Sequence, residues 1–520
     1  MENKNYYITT PIYYVNGDPH LGHVYTTTAA DVAARFKRLA GYNVHFLTGT
    51  DEHGQKVAQS AEKAGIEPQE FCDQVAQKFR DVLEPFQISN DDFIRTTEDR
   101  HKTTCQALWK KLDEAGAIYL DKYAGWYAVR DEAYYGEDEL ENGPDADTKI
   151  ATATGAECKW VEEESYFFRL SNYTDKLLKF YEDNPEFIGP KSSANEIKAF
   201  VEQELRDLSI SRTTFDWGVP VPGDDKHVMY VWIDALTNYI SALGYENGES
   251  DLMDQFWPAD VHVVGKEITR FHAIYWPAFL MAANLPVPKK VYANGWWVVE
   301  GEKMSKSIGN VITPETLLAN YGSDGSRYAL MAEMPFGNDG NFVHESAVNR
   351  INGDLANGLG NLAQRTLSMI AKNCDGKIPT KQEFTNDDNV LLEQAYALPE
   401  LTEKHIDAMQ IHKYLECVWH VVGEANAYID AQAPWKLKKE DPDRMQTVLY
   451  VLTEVIRCTA IMAQPILPTG SSKILDQLVV SGDARTFSHV NAESALQSGI
   501  ELPAPQGVFP RIELIKEEEA

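Results

Sequence analysis

The stretch Tyr13-Tyr14-Val15-Asn16-Gly17-Asp18-Pro19-His20-Leu21-Gly22-His23 constrains this chain more than any other. It follows a strand-like run, Tyr6 to Thr10, and leads into Val24, Thr28, Val32, Phe36 and Leu39 or Ala40 at helical spacing, with Gly41 placed as C′ cap. Gly17, Asp18 and Pro19 force a turn between the two, because Gly tolerates positive φ and Pro fixes its own. A helix N-terminus offers unpaired N–H groups and the positive end of the macrodipole, so it favours an anion. Two imidazoles at that point, with Gly22 leaving no Cβ in the way of a flat group, suit nucleotide chemistry. The same spacing also fits two solvated histidines or half a metal site, and alone it does not choose among the three.

Asn43 to Leu47 reads as the next strand, so the chain opens β-turn-α-β, the start of a doubly wound sheet. Thr48 to Gly54 falls at the carboxyl end of that strand, where such sheets bind ligands. Asp51 there either pairs with an ammonium group or caps a helix from Gln55. Asp99 to Ala115 is an amphipathic helix, with Leu108, Leu112 and Ala115 on one face. Gly125 to Val129 and Ser165 to Phe168 then bracket an acidic segment from Gly136 to Asp147, which reads as a β-rich insertion. After a turn-rich link, Trp217 to Pro222, the run Val228 to Ala235 is expected to return to the sheet.

Trp232, Leu236 and Tyr239 share one helical side, and Val261 to Glu267 is a buried strand ending in charge. Ile268, Phe271, His272 and Trp276 line a further helix face. One aromatic stripe is more often core than pocket, but two that follow strand ends on the same side of a sheet have pocket geometry. Trp, Tyr, Phe, Ile and Leu together suit a flexible thioether, whose polarisable sulfur favours aromatic edges. Val291 to Val299 reads as a hairpin with Asn294-Gly295 at its turn. Glu302 to Ser307, between Gly301 and Gly309, is a loop with two ammonium groups and two hydroxyls, suited to triphosphate oxygens or simply solvated. Thr313-Pro314-Glu315 caps and opens another helix. Phe336 to Asn341 is a break, and from His344 onward helix follows helix. Val418, Val421, Val422, Ala425, Tyr428 and Ile429 form one apolar stripe there, and Leu449, Leu452, Val455, Ile456 and Met462 another.

His20-Leu21-Gly22-His23 and Lys303-Met304-Ser305-Lys306-Ser307, in this order and joined by an α/β stretch, resemble the two signatures of the class I aminoacyl-tRNA synthetases. The flanking residues narrow the resemblance to the methionyl-tRNA synthetases. It implies an α/β fold, a Rossmann-like doubly wound parallel sheet with an inserted β-rich connective domain, followed by an all-α helical bundle. The catalytic domain would span 1–115 and 226–335, the insertion 116–225, and the stem-contact region with the anticodon-binding bundle 336–520. The resemblance implies activation of methionine by ATP, with Mg²⁺, to methionyl-adenylate, and transfer to methionine tRNA, elongator and initiator alike. His20, His23, Lys303 and Lys306 would be catalytic. ATP would meet these four with Gly22, Glu267 at the ribose, Asn294 and Ser305. Methionine would meet Ile12, Tyr14, Asp51, Trp232, Leu236, Tyr239, Ile268, Phe271, His272 and Trp276, with Asp51 on its α-amino group. Asn361, Arg365 and Trp435 resemble anticodon readers, and an amide, a guanidinium and an indole plane suit unstacked bases. Without the resemblance, Trp435 behind Pro434 reads first as a bundle cap. Two other classes stay open: an adenylating ligase without tRNA, and a silent RNA-binding relative.

Many members of the family hold structural zinc in the insertion with four cysteines. This chain has Ala128, Asp131 and a single Cys158 near those positions, and its six cysteines form no Cys-x-x-Cys pair. A structural site needs four N or S ligands, so no zinc and no other protein-held metal is expected. Scattered cysteines also suit a reducing compartment, and neither a signal peptide nor a membrane span is read, so a cytoplasmic protein without membrane contact is expected. The net charge of −31 argues against general RNA binding, which the motifs outweigh for one specific tRNA. With no added dimerising domain, a monomer is expected.

Overall fold

The computed structural model describes residues 4–131, 133–145, 147–203, 205–248, 252–304 and 309–513. Strand β1 (Asn5–Tyr14) passes through the Gly17–Pro19 turn into helix α1 (Leu21–Leu39). The chain leaves α1 through Ala40 and through Gly41 at φ +89°, the left-handed position at which a Cβ would be strained. Strand β2 (Asn43–Asp51) lies parallel to β1, with Tyr14 opposite Asp51, and β3 (Asp92–Arg95) lies parallel to β2. Helix α2 (Asp99–Glu114) then leads to the insertion, where β4 (Ile118–Ala128) and β5 (Glu157–Phe168) form a long antiparallel pair. Aromatic contacts hold that pair: Trp126 against Trp160 at 5.4 Å and Tyr119 on Phe167 at 5.5 Å.

Among the described residues, β3, β2, β1, β7 (Val261–Gly265), β8 (Val291–Asn294) and β6 (Ile188–Gly189) form one sheet in that order, every pair parallel. Strands are added outward from β1 in one direction and then from β7 in the other. That leaves a crevice at the carboxyl ends of β1 and β7, the switch point at which open α/β sheets bind ligands. Helix α3 (Val231–Ser241) and a wide turn, Phe271–Tyr275, running into α4 (Trp276–Ala282), pack beside it.

Ile188–Gly189, inside the span drawn as insertion, pairs with β8 at the edge of the parallel sheet. Two sequence expectations are revised. Val228 and Met229 end a strand of a separate antiparallel sheet, and the chain is helical from Val231, so this run never enters the parallel sheet. The Val291–Val299 stretch is not a hairpin. Val291–Asn294 belongs to the parallel sheet and Trp297–Val299 to a small sheet with Glu302–Lys303 and Gly340–Phe342. Gly295 is required there by proximity, since a Cβ would lie 2.1 Å from the Asn338 carbonyl oxygen.

Thr313 caps α5 (Pro314–Ala332), accepting from the Thr316 amide at 3.3 Å. The helical region follows, with α6 (Asn361–Asn373), α7 (Ile411–Gln432) and α8 (Pro442–Ala463) among its elements. By length and composition α8 could cross a bilayer, which the sequence reading overlooked, but 94% of its most apolar window is buried within the protein. Glu454 and Arg457 pair inside it, as a helix at the centre of a bundle allows. One apolar core runs without a break from Phe36 and Val44 through Leu330 to Val418 and Leu452. Beside it Arg327, fully buried, pairs with Asp31 of α1 at 2.6 Å and donates to the carbonyls of Phe86, Pro465 and Ile466.

Candidate functional site

The two histidines are locked by their own helix turn. The Gly22 amide donates to His20 Nδ1, and the His20 amide donates to His23 Nδ1, each at 3.1 Å. With both Nδ1 atoms accepting, each neutral ring carries its proton on Nε2, as a donor. Burial, and then the neighbouring His20 ring 3.9 Å away, push the His23 imidazole well below its ordinary value, so it stays neutral. Gly22 has a second reason to be glycine: a Cβ would stand 3.0 Å from His20 Cε1 and crowd the ring off its amide. The Leu21 amide donates to Ile312 O at 2.9 Å, and Thr26 Oγ1 bridges Gly22 O and Asn294 Oδ1 at 3.1 Å each. These bonds join the helix start to the end of β8 and to the segment that follows the lysine loop. Lys303 ends the two-residue strand antiparallel to Trp297–Val299, and Asn310 Nδ2 donates to its carbonyl at 3.2 Å. Ser305 and Lys306 lie outside the described residues.

Across the switch point the predicted pocket residues converge. Leu236, Tyr239, Phe271 and Trp276 share one buried cluster, with Ile12, Trp232 and Ile268 packed against it. Trp232 stacks on Phe271 at 3.6 Å, joining α3 to the wide turn. His272 Nδ1–H donates to Ile268 O at 2.9 Å, which leaves Nε2 to accept from the Tyr239 hydroxyl at 2.7 Å. Burial lowers the His272 imidazole to about 4, so it is neutral near pH 7. Asp51 is buried at the end of β2. Tyr14, opposite it, packs instead with Tyr13, Val15 and Phe79, and Lys56 Nζ lies 5.5 Å from its ring centre.

Two arrangements escaped the sequence reading. His53 Nδ1–H and His101 Nε2–H each donate to the fully buried Asp234 at 2.7 Å. Burial pushes the Asp234 carboxyl up, but the imidazoles of His53 and His101 outweigh it and hold the group well below the carboxylate range. An aspartate inside the apolar run Val231–Ala235 was the available signal, since such a charge must be paired when the helix is buried. With Cys105, His101 and Asp234 form the one set of close metal-ligand atoms among the described residues, already satisfied by its own hydrogen bonds. The second arrangement is at Glu267, whose Oε2 accepts from the Trp296 indole at 2.7 Å.

Near the expected zinc positions, Ala128, Ala151, Ala156 and Cys158 make a small apolar cluster, and Asp131 accepts from Tyr135 and Arg130 at 2.8 and 3.0 Å. That donor set does not fit a four-ligand zinc site. In the bundle, Asn361 and Arg365 lie one turn apart on α6. Arg365 pairs with Asp430 at 2.8 Å and lies 5.6 Å from the ring centre of Trp435, which is 44% exposed. Sequence resemblance alone had grouped these three, and the fold brings Arg365 and Trp435 together.

The family model "tRNA synthetases class I (M)" matches residues 6–367, and "Anticodon binding domain of methionyl tRNA ligase" matches 378–520. The chain is 54% identical to the methionine–tRNA ligase of Mesorhizobium japonicum and 56% to that of Brucella suis, over 98% of each chain. It superposes on Mycobacterium tuberculosis methionyl-tRNA synthetase in complex with methionyl-adenylate with a TM-score of 0.94, at 49% identity, over 98% of this chain and 100% of that one. The crevice, the two locked histidines and a likeness that runs the length of both parts leave one assignment: the chain belongs to the methionyl-tRNA synthetases, ATP-dependent ligases that form methionyl-adenylate and charge methionine tRNA.

Proposed function

We propose that the switch-point crevice carries out both half-reactions with the following division of labour. The paired imidazoles of His20 and His23 carry the assignment, because their Nε2–H groups are set by the helix cap before any ligand arrives. They donate to ATP phosphates, Gly22 lies under the adenine, Asn294 borders it, and Glu267 takes the ribose. Mg²⁺ enters with ATP as part of the substrate. Asp51 holds the methionine ammonium group, and the Tyr239–His272 pair gives the thioether end its polar contact. Ile12, Trp232, Leu236, Ile268, Phe271 and Trp276 wall the pocket, with Tyr14 at its rim.

A methionine carboxylate oxygen attacks the α-phosphorus, the bond to the bridging oxygen breaks, and pyrophosphate leaves. The carboxylate needs no general base, so positioning and charge stabilisation supply the rate. Lys303, Ser305 and Lys306 offset charge on the departing pyrophosphate. The terminal ribose hydroxyl of the tRNA then attacks the adenylate carbonyl and AMP departs. Asn361, Arg365 and Trp435 read the anticodon. The enzyme works as a cytoplasmic monomer and, given the donor set around Asp131, without structural zinc.

The test is ATP–pyrophosphate exchange across all twenty amino acids, with EDTA-dialysed enzyme resupplied with magnesium only. Exchange with methionine alone supports the pocket and the zinc-free reading together. Exchange restored only by zinc overturns the latter, and exchange with another amino acid overturns the pocket.

A further inference from the structure

Trp296 is 46% exposed, yet it is held from every side. Its amide donates to Asp339 Oδ1 at 2.8 Å, and its carbonyl accepts from the Gly340 amide at 2.8 Å. The residue before it, Gly295, abuts the Asn338 backbone so closely that no side chain fits. Lys266, paired with Asp339 at 2.6 Å, places its ammonium group 4.2 Å from the indole centre, and Lys303 Nζ lies 5.2 Å away. The indole N–H, a donor only, ends on Glu267 Oε2. That carboxylate folds back over Gly265, where a Cβ would stand 2.3 Å from Oε1. A half-exposed tryptophan gains little from burial, and the contacts of the indole itself go to the Glu267 carboxylate and the two cations.

We propose that Trp296 is a positioning residue of the nucleotide site, orienting the Glu267 carboxylate for the ribose hydroxyls and holding Lys303 beside it. This rests on the assignment of Glu267 to the ribose and Lys303 to the phosphates. The indole fixes one carboxylate oxygen, and the remaining lone pairs face the incoming hydroxyls. The ring face offers a cation a weak, easily exchanged seat, so Lys303 is kept near the nucleotide without being tied down.

The experiment is pyrophosphate exchange by the full chain with ATP and with 2′,3′-dideoxy-ATP, which lacks both ribose hydroxyls. Trp296→Phe keeps the ring and removes the N–H. It is expected to raise the KM for ATP about 10-fold, the value of a hydrogen bond to a charged group. The KM for methionine and the urea midpoint should stay unchanged. The penalty should fall below about 2-fold with the dideoxy nucleotide and in the Glu267→Ala background, as a lost contact of this kind requires. Trp296→Leu, which also removes the ring, should add a decrease of about 3-fold in kcat. An unchanged KM for ATP in Trp296→Phe, or an equal penalty with both nucleotides, overturns the proposal. If Glu267→Ala alone leaves the KM for ATP unchanged, the ribose assignment itself has failed; if only the tryptophan variants are silent, that assignment stands and the positioning role falls.

Discussion

Tyr239, His272 and Trp276 are at most 3% exposed, whereas Glu267 and Trp296, just past the carboxyl ends of β7 and β8, and Lys303 near the Trp296 ring stand open to water. The side proposed for methionine is a packed interior: rings set each other's positions, and the Tyr239–His272 pair is buried with its protons already placed. The side proposed for the nucleotide is a surface of charges held by hydrogen bonds and cation–ring contacts. Interior groups are felt through affinity and stability, because removing one leaves a void or an orphaned polar atom. Exposed charges contribute little to stability in water and act mainly where charge develops during reaction.

The most severe break should come on the open side. Lys303→Ala and Lys306→Ala are each expected to slow adenylate formation by about 10²–10³-fold, as for other transition-state donors, while methionine affinity and the urea midpoint barely move. Rapid-quench measurement of the single-turnover rate decides this, and an unchanged rate removes the lysines from the mechanism. Trp435→Ala lies outside both sites and should weaken tRNA charging by about 10-fold, the value of one base-stacking contact, with pyrophosphate exchange intact. Equal loss of the two would make Trp435 a structural cap.

On the closed side, Tyr239→Phe leaves the buried His272 Nε2 without its donor and should raise the KM for methionine about 10-fold, with that for ATP unchanged. A matching rise in the KM for ATP would show that pocket and nucleotide edge are not separable. The smallest effect is in pH. His272 sits at about 4 when folded against 6.5 ordinarily, so between these values the unfolded chain binds the extra proton. The resulting stabilisation is full above about pH 6.5 and is lost as pH falls towards 4. Urea midpoints over this window should fall less steeply for His272→Gln than for the wild-type protein; parallel curves would show that His272 is not the titrating group.

The two sides also differed in how far the chain announced them. The β-turn-α-β opening was legible because Gly17, Pro19 and Gly41 punctuate it, and the clustering of the buried rings because they recur at helical spacing. Contacts between residues far apart in the chain leave no such period. Glu267 and Trp296 are 29 positions apart, and His53 and Asp234 are 181 apart, so although Asp234 in its apolar run called for a partner, nothing local named the partner in either bond. The edge strand Ile188–Gly189 is too short to show alternation. Asn294-Gly295 misled because that dipeptide usually signals a hairpin, while here the glycine answers to Asn338.

The buried Arg327–Asp31 pair has a consequence for anyone dividing this molecule. Its guanidinium holds α1 of the sheet domain and, through Pro465 and Ile466, the turn that follows α8 of the bundle, within one continuous apolar core. A fragment cut near 336 would strip the bundle of Arg327 and bare the core face that now meets the sheet domain. The part that meets the anticodon and the part that makes the adenylate should therefore melt together, as a single cooperative body with two working ends.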